Sequence, residues 1–206
     1  MDFSFSFKKP PSGSQAKKAN PFEQAEEQFN AIRGCGVTPR PAVTFAQLTE
    51  GQDPAAFEGA PYAHMLCVMA GTGSDGEPFS DDVLLVNPQC ISESGSYSAL
   101  ITSVMRLAKG ALPFEDLADS YDGDNNVASI TFTLDSEGQQ WDVAVEDNGV
   151  APEVWSNLAT IAASRADSGE RLAWCEVDGQ RLMVFLSESD LSDLAQTTGM
   201  EWAAIE

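Results

Sequence analysis

The dipeptide Asp178-Gly179, set between the apolar runs Leu172 to Val177 and Arg181 to Leu186, constrains this chain more than any other feature. Two central residues that accept positive φ between two strand-like runs specify a tight β-hairpin, so the two strands are antiparallel neighbours. A second hairpin is written upstream. Ile130, Phe132 and Leu134 alternate with Thr131 and Thr133, Ser136-Glu137-Gly138 turns, and Trp141, Val143 and Val145 alternate with polar residues. Each hairpin is followed by a helix. Pro152 opens one, with Val154, Trp155, Leu158 and Ile161 inward, and Ser187 or Ser189 caps another that holds Leu191 and Leu194 and ends at Gly199.

The same order is expected earlier in the chain. Tyr62 to Ala70 is almost continuously apolar and reads as a strand buried on both faces, Asp82 to Val86 reads as a second strand, and Tyr97 to Lys109 as a helix stopped by Gly110. Three strand–strand–helix units predict an α+β fold, a largely antiparallel sheet with helices packed on one face. Ahead of them, Asn20, Pro21 and Glu23 open a helix with Phe22, Ala25, Phe29 and Ile32 on one side. Short helical pieces are expected after Thr44 and after Asp53-Pro54, and a short final strand within Met200 to Ile205.

Residues 1–20 form a separate arm and linker in this reading, and residues 21–206 one acidic domain. Phe3, Phe5 and Phe7 alternate with serines and would dock as a strand, either on the chain's own body or on a neighbouring copy. The arm also differs in charge. It holds Lys8, Lys9, Lys17 and Lys18 against Asp2 and carries +3, whereas the remainder holds 31 acids and seven bases and carries −24. Nucleic acid and anionic membrane are excluded as partners of so negative a body. No run of about 18 apolar residues occurs, and Met1 to Lys9 lacks the pattern of a secretory signal. A cytoplasmic location is expected. Cys35, Cys67, Cys90 and Cys175, spaced by 32, 23 and 85 residues, are then reduced and mostly buried.

Catalytic and cofactor motifs fail one after another. His64 is the only histidine, and on a strand Cys67 would face the opposite side, so the pair makes neither a dyad nor a zinc corner. Asp122-Gly-Asp124-Asn-Asn126 starts like a calcium loop but has Val127 where glycine is required and Thr133 where the bidentate acid belongs. Gly71-Thr-Gly73-Ser-Asp-Gly76 resembles a phosphate loop, yet Glu77, Pro78, Asp81 and Asp82 follow it. No cofactor or metal is expected. The four tryptophans read as core, with interface anchoring as the alternative.

These observations lead to the expectation of a non-catalytic acidic protein that sequesters, inhibits or escorts a basic protein partner. By charge and size alone it is comparable to immunity proteins and secretion chaperones. The residues expected to meet the partner are Asp142, Glu146, Asp147, Glu176 and Trp141. An enzyme with a carboxylate-based, metal-dependent site and an oligomer-forming structural protein are the alternatives.

Overall fold

The computed structural model describes residues 20–206, so Phe3, Phe5 and Phe7 lie outside the described residues. Four helices come first: α1 (Glu23–Gly34), α2 (Phe45–Thr49), α3 (Pro54–Gly59) and α4 (Ala63–Ala70). Then follow β1 (Val83–Val86), α5 (Ser96–Leu107), β2 (Glu115–Asp122), β3 (Val127–Leu134), β4 (Glu137–Ala144) and α6 (Pro152–Arg165). The chain closes with β5 (Arg171–Val177), β6 (Gln180–Leu186), α7 (Glu188–Thr198) and β7 (Ala203–Ala204).

The strands make two antiparallel sheets, one in the order β1-β6-β5-β7 and one in the order β2-β3-β4. The fold is α+β. Asp178 and Gly179 both have positive φ, 50° and 76°, as a two-residue hairpin between right-twisted strands requires. β6 is one of the two inner strands of the larger sheet, and from Leu182 to Leu186 every side chain is buried. The two faces of β5 and β6 feed separate cores. Leu172, Met183 and Phe185 pack with α5, α6 and the inner side of the three-stranded sheet. Ala173, Cys175, Leu182, Val184 and Leu186 pack with α1 to α4 and α7. Helices therefore cover both faces of the four-stranded sheet, while the three-stranded sheet carries them on one face and leaves the other open.

The segment Tyr62 to Ala70 departs from the strand reading: it is helical from Ala63. Eight residues apolar on every side fit a buried helix as well as a buried strand, and Ala, Met and Leu dominate here while Val68 is the single β-branched residue. Met65, Leu66 and Met69 are fully buried. The other starts and stops follow local chemistry. Thr44 and Gln47 form a reciprocal capping box on α2, the Asp53 carboxylate accepts the Ala55 N–H, and the Ser187 hydroxyl accepts the Asp190 N–H. Gly199 ends α7 in the left-handed region at φ 68°.

Two carboxylates join elements distant in sequence. Asp119 on β2 points inward and caps α5 from outside the helix, accepting the Gly95 N–H at 2.9 Å, the Ser98 N–H at 2.8 Å and the Ser98 hydroxyl. Gly95, the residue at the cap position, has no side chain to do this. Buried Asp82, just before β1, accepts the Thr38 N–H at 2.8 Å and the Thr38 hydroxyl at 2.6 Å, and meets Lys109 Nζ at 2.6 Å. Asp119→Ala leaves the first N–H groups of α5 unpartnered. It is expected to lower stability by about 1–2 kcal/mol in urea unfolding, with Asp119→Asn losing less because one amide oxygen still accepts.

Candidate functional site

The three-stranded sheet presents an outer face built by register alone. Reading across β2, β3 and β4, the cross-strand rows are Ala118–Thr131–Gln140, Ser120–Ser129–Asp142 and Asp122–Val127–Ala144, with Glu115 beside Thr133 and Gly138 at the far end. All are short or polar. The largest apolar side chain is Val127, 41% exposed. Alternation sends Ala128, Ile130, Phe132 and Val143 inward to the core, and nothing among the described elements covers the outer side.

The charge of this sheet is one-sided. Residues 115–144 contain Glu115, Asp116, Asp119, Asp122, Asp124, Asp135, Glu137 and Asp142, and no lysine or arginine. Asp119 is used inward as the helix cap. Of the rest, only Asp135, in the β3–β4 turn, has an ion-pair partner among the described residues, Arg165 at the end of α6. Glu115, Asp122 and Asp142 stand on the face, Asp116 on the bulge beside it (φ 51°), and Asp124 and Glu137 at the turns. The side chain and backbone of Asn125 and the Asp124 N–H hold the Asp122 carboxyl below the usual carboxylate range. Hydrogen bonds from Gln140 and then Ser129 do the same for Asp142, with Gln140 Nε2 at 2.9 and 3.1 Å from its two oxygens. These carboxylates stay ionised as pH falls further than ordinary ones do.

The residues expected to form one patch do not all meet. Asp142 is exposed on the outer face of β4. Trp141, its neighbour, faces the other way and packs edge-on against Phe132 at 4.8 Å and Phe114 at 6.2 Å. Glu146 and Asp147 lie in the tight turn after β4, where Gly149 N–H reaches the Glu146 carbonyl at 2.7 Å. Glu176 is on β5, in the other sheet, opposite Arg181. Glu115, Asp116 and Asp122 share this sheet with Asp142; in sequence Asp122 reads only as part of a calcium-like loop, and Glu115 and Asp116 are passed over because β2 reads as an acid-rich connection. A signal was present: residues 110–164 contain no basic residue.

The motifs weighed for chemistry are accounted for locally. Asp122 is occupied by its own turn, accepting from Asp124 N, Asn125 N and Asn125 Nδ2. The glycine loop folds on itself, with Gly73 N–H on the Glu77 carbonyl and Phe79 N–H on the Gly71 carbonyl, so those amides are not turned toward a ligand. In helical α4, His64 and Cys67 share a side, which removes the separation expected on a strand. No hydrogen bond joins them among the described residues, and His64 sits edge-on to Phe57 at 4.6 Å with its Nε2 buried and unpartnered. Among the described residues no group of three or more His, Cys, Asp or Glu is placed to hold a metal, and no helix is long and apolar enough to cross a membrane. No family model, curated protein or solved structure matches the chain.

The four thiols are free. Burial pushes Cys175 up to about 12, with Cys67 nearby adding to the shift, and burial likewise raises Cys67 and Cys90. Such thiols are poor nucleophiles. In the native protein at pH 8, alkylation of Cys175 is expected to be far slower than in guanidinium, where all four react, as peptide mass spectrometry will report. The folded state keeps protons that the unfolded chain releases above about pH 8.5. Stability is therefore complete below that pH and is lost as pH rises through the folded values, and melting curves across the alkaline range should show a fall that Cys175→Ala reduces.

Proposed function

We propose that this chain is a non-catalytic binding protein that takes a basic protein partner on the outer face of its three-stranded sheet. What carries the reading is the coincidence, on one open face, of carboxylates from its two outer strands, β2 and β4, with the absence of any basic residue between 110 and 164. Carboxylates are not confined to this face; Glu23, Glu26 and Glu27 line exposed parts of α1, for instance. The sheet differs in three ways. It is bordered by two edge strands, its short side chains let a partner approach the backbone, and two of its carboxylates, Asp122 and Asp142, are fixed in place by hydrogen bonds. Prepositioned charge of one sign speeds encounter with an opposite surface and excludes like-charged competitors. A lysine- or arginine-rich partner is the occupant that such a face accepts at least desolvation cost, since exposed carboxylates remain hydrated at the rim while short polar residues pack at the centre.

The test compares two charge-neutralised variants of equal size. Glu115→Gln/Asp122→Asn/Asp142→Asn alters the sheet, and Glu23→Gln/Glu26→Gln/Glu27→Gln alters α1. Each is used to capture partners from the producing cell's lysate at about 50 mM and about 500 mM salt, a range over which a charge-driven contact weakens strongly. The expected result is a protein of net positive charge retained by the unmodified chain and by the α1 variant, and lost both from the sheet variant and at high salt. Capture that is equal for the two variants, or confined to proteins without positive charge, overturns the proposal.

A further inference from the structure

A cavity of about 470 Å³ lies between the start of α6, the β5–β6 hairpin and the residues around β7. Its apolar walls come chiefly from Trp155, Trp174, Val150 and Ile205. The two indoles meet edge to face at 5.8 Å, and the Arg181 guanidinium lies flat over Trp174, with Cζ 3.9 Å from the ring centre.

Two features of this cavity stand out against a body rich in carboxylate. Arg181 has no carboxylate within ion-pair distance and no hydrogen bond to a protein acceptor among the described residues, although Glu176 sits directly opposite it in the β5–β6 register. Stacking uses the face of a guanidinium and leaves the N–H groups of its edge available as a planar fork. Trp155 is 2% exposed, and its Nε1–H is buried without an acceptor. That N–H has no accessible surface, as is also true of Trp202 Nε1, so Trp155 lends the cavity a wall and not a donor. The first turn of α6 opens at the same place, and no side chain caps it. Arginine edge and helix start are both donors, and Glu206 is the only carboxylate lining the cavity among the described residues.

The geometry points to a binding site for a small aromatic carboxylate, its ring against Trp155, Val150 and Ile205 and its carboxylate on the fork of Arg181. The site is separate from the acidic sheet face and does not depend on it. A charge-assisted, bidentate contact held by a stacked arginine gives direction, and the aromatic walls give affinity.

Phenylacetate serves as the probe and phenylacetamide as its neutral twin, with binding to the full chain followed by the indole N–H resonances in NMR titration. Phenylacetate is expected to shift the Trp155 and Trp174 resonances saturably and to leave that of Trp202, in the other core, in place. The amide, or phenylacetate with Arg181→Gln, is expected to bind at least about tenfold more weakly, the size of one charged hydrogen bond. Arg181→Lys keeps the charge but loses the flat fork and should fall between. An unshifted Trp202 resonance in each variant shows that the fold is retained. The assignment is overturned by the absence of a saturable shift up to about 20 mM, ample for a ligand of this size, or by equal binding of acid and amide. Equal binding by Arg181→Gln overturns it as well.

Discussion

β6 is the strand on which both halves of the molecule depend. Leu182 to Leu186 are buried without interruption, and successive residues belong to opposite cores, so neither layer can be built before this strand is in place. Its partners come from far apart: β5 through a two-residue turn, and β1 from the other side of α5 and the whole three-stranded sheet. Pairing β1 with β6 closes a long loop, an entropic cost that burial on both faces of β6 offsets.

The two buried or inward carboxylates make sense in that setting. Asp82 holds the Thr38 segment and Lys109 together at the β1 end, and Asp119 holds the start of α5 against β2. Neither is free to serve a partner. In a chain with so many acids, the distinction between structural and available carboxylates lies in where their lone pairs go. Asp82 and Asp119 accept from backbone N–H groups of other elements, whereas Asp122 accepts from its own turn and Asp142 from the side chains of Gln140 and of Ser129 on adjoining β3, and both keep an exposed side.

Most elements are legible in sequence because their ends carry specific chemistry: the Asp178-Gly179 turn, the Thr44 box, Ser187, Pro152 and Gly199. Two were not, for physical reasons. Met65, Leu66, Cys67, Val68 and Met69 are apolar on all sides, so no periodicity distinguishes helix from strand over so short a run. β2 hides because Asp119 occupies an inward position, where alternation calls for an apolar residue, and because Asp116 inserts a bulge that breaks the period. The outer face was less legible still. Asp142 was singled out with Trp141, but adjacent strand residues point to opposite sides. The residues that do stand beside Asp142 come from β2 and β3, a relation fixed by register and absent from any single segment. The aromatic cavity joins residues 150 to 206 through three elements, and nothing in the sequence around Arg181 marks it as lacking an ion-pair partner.

The two edge strands of the outer face carry a further consequence for how this protein behaves in a crowd of its own copies. β2 and β4 are the two margins of this sheet, and a sheet margin is the usual template for sheets to join side by side into larger aggregates. What holds copies apart is mutual repulsion between identical carboxylates at those margins. Because hydrogen bonds hold the Asp122 and Asp142 carboxyls below the usual carboxylate range, these margins keep their negative charge to lower pH than ordinary acids do. That persistence is set by the turn at Asn125 and by the neighbouring Gln140, two uncharged residues that no count of charges would single out.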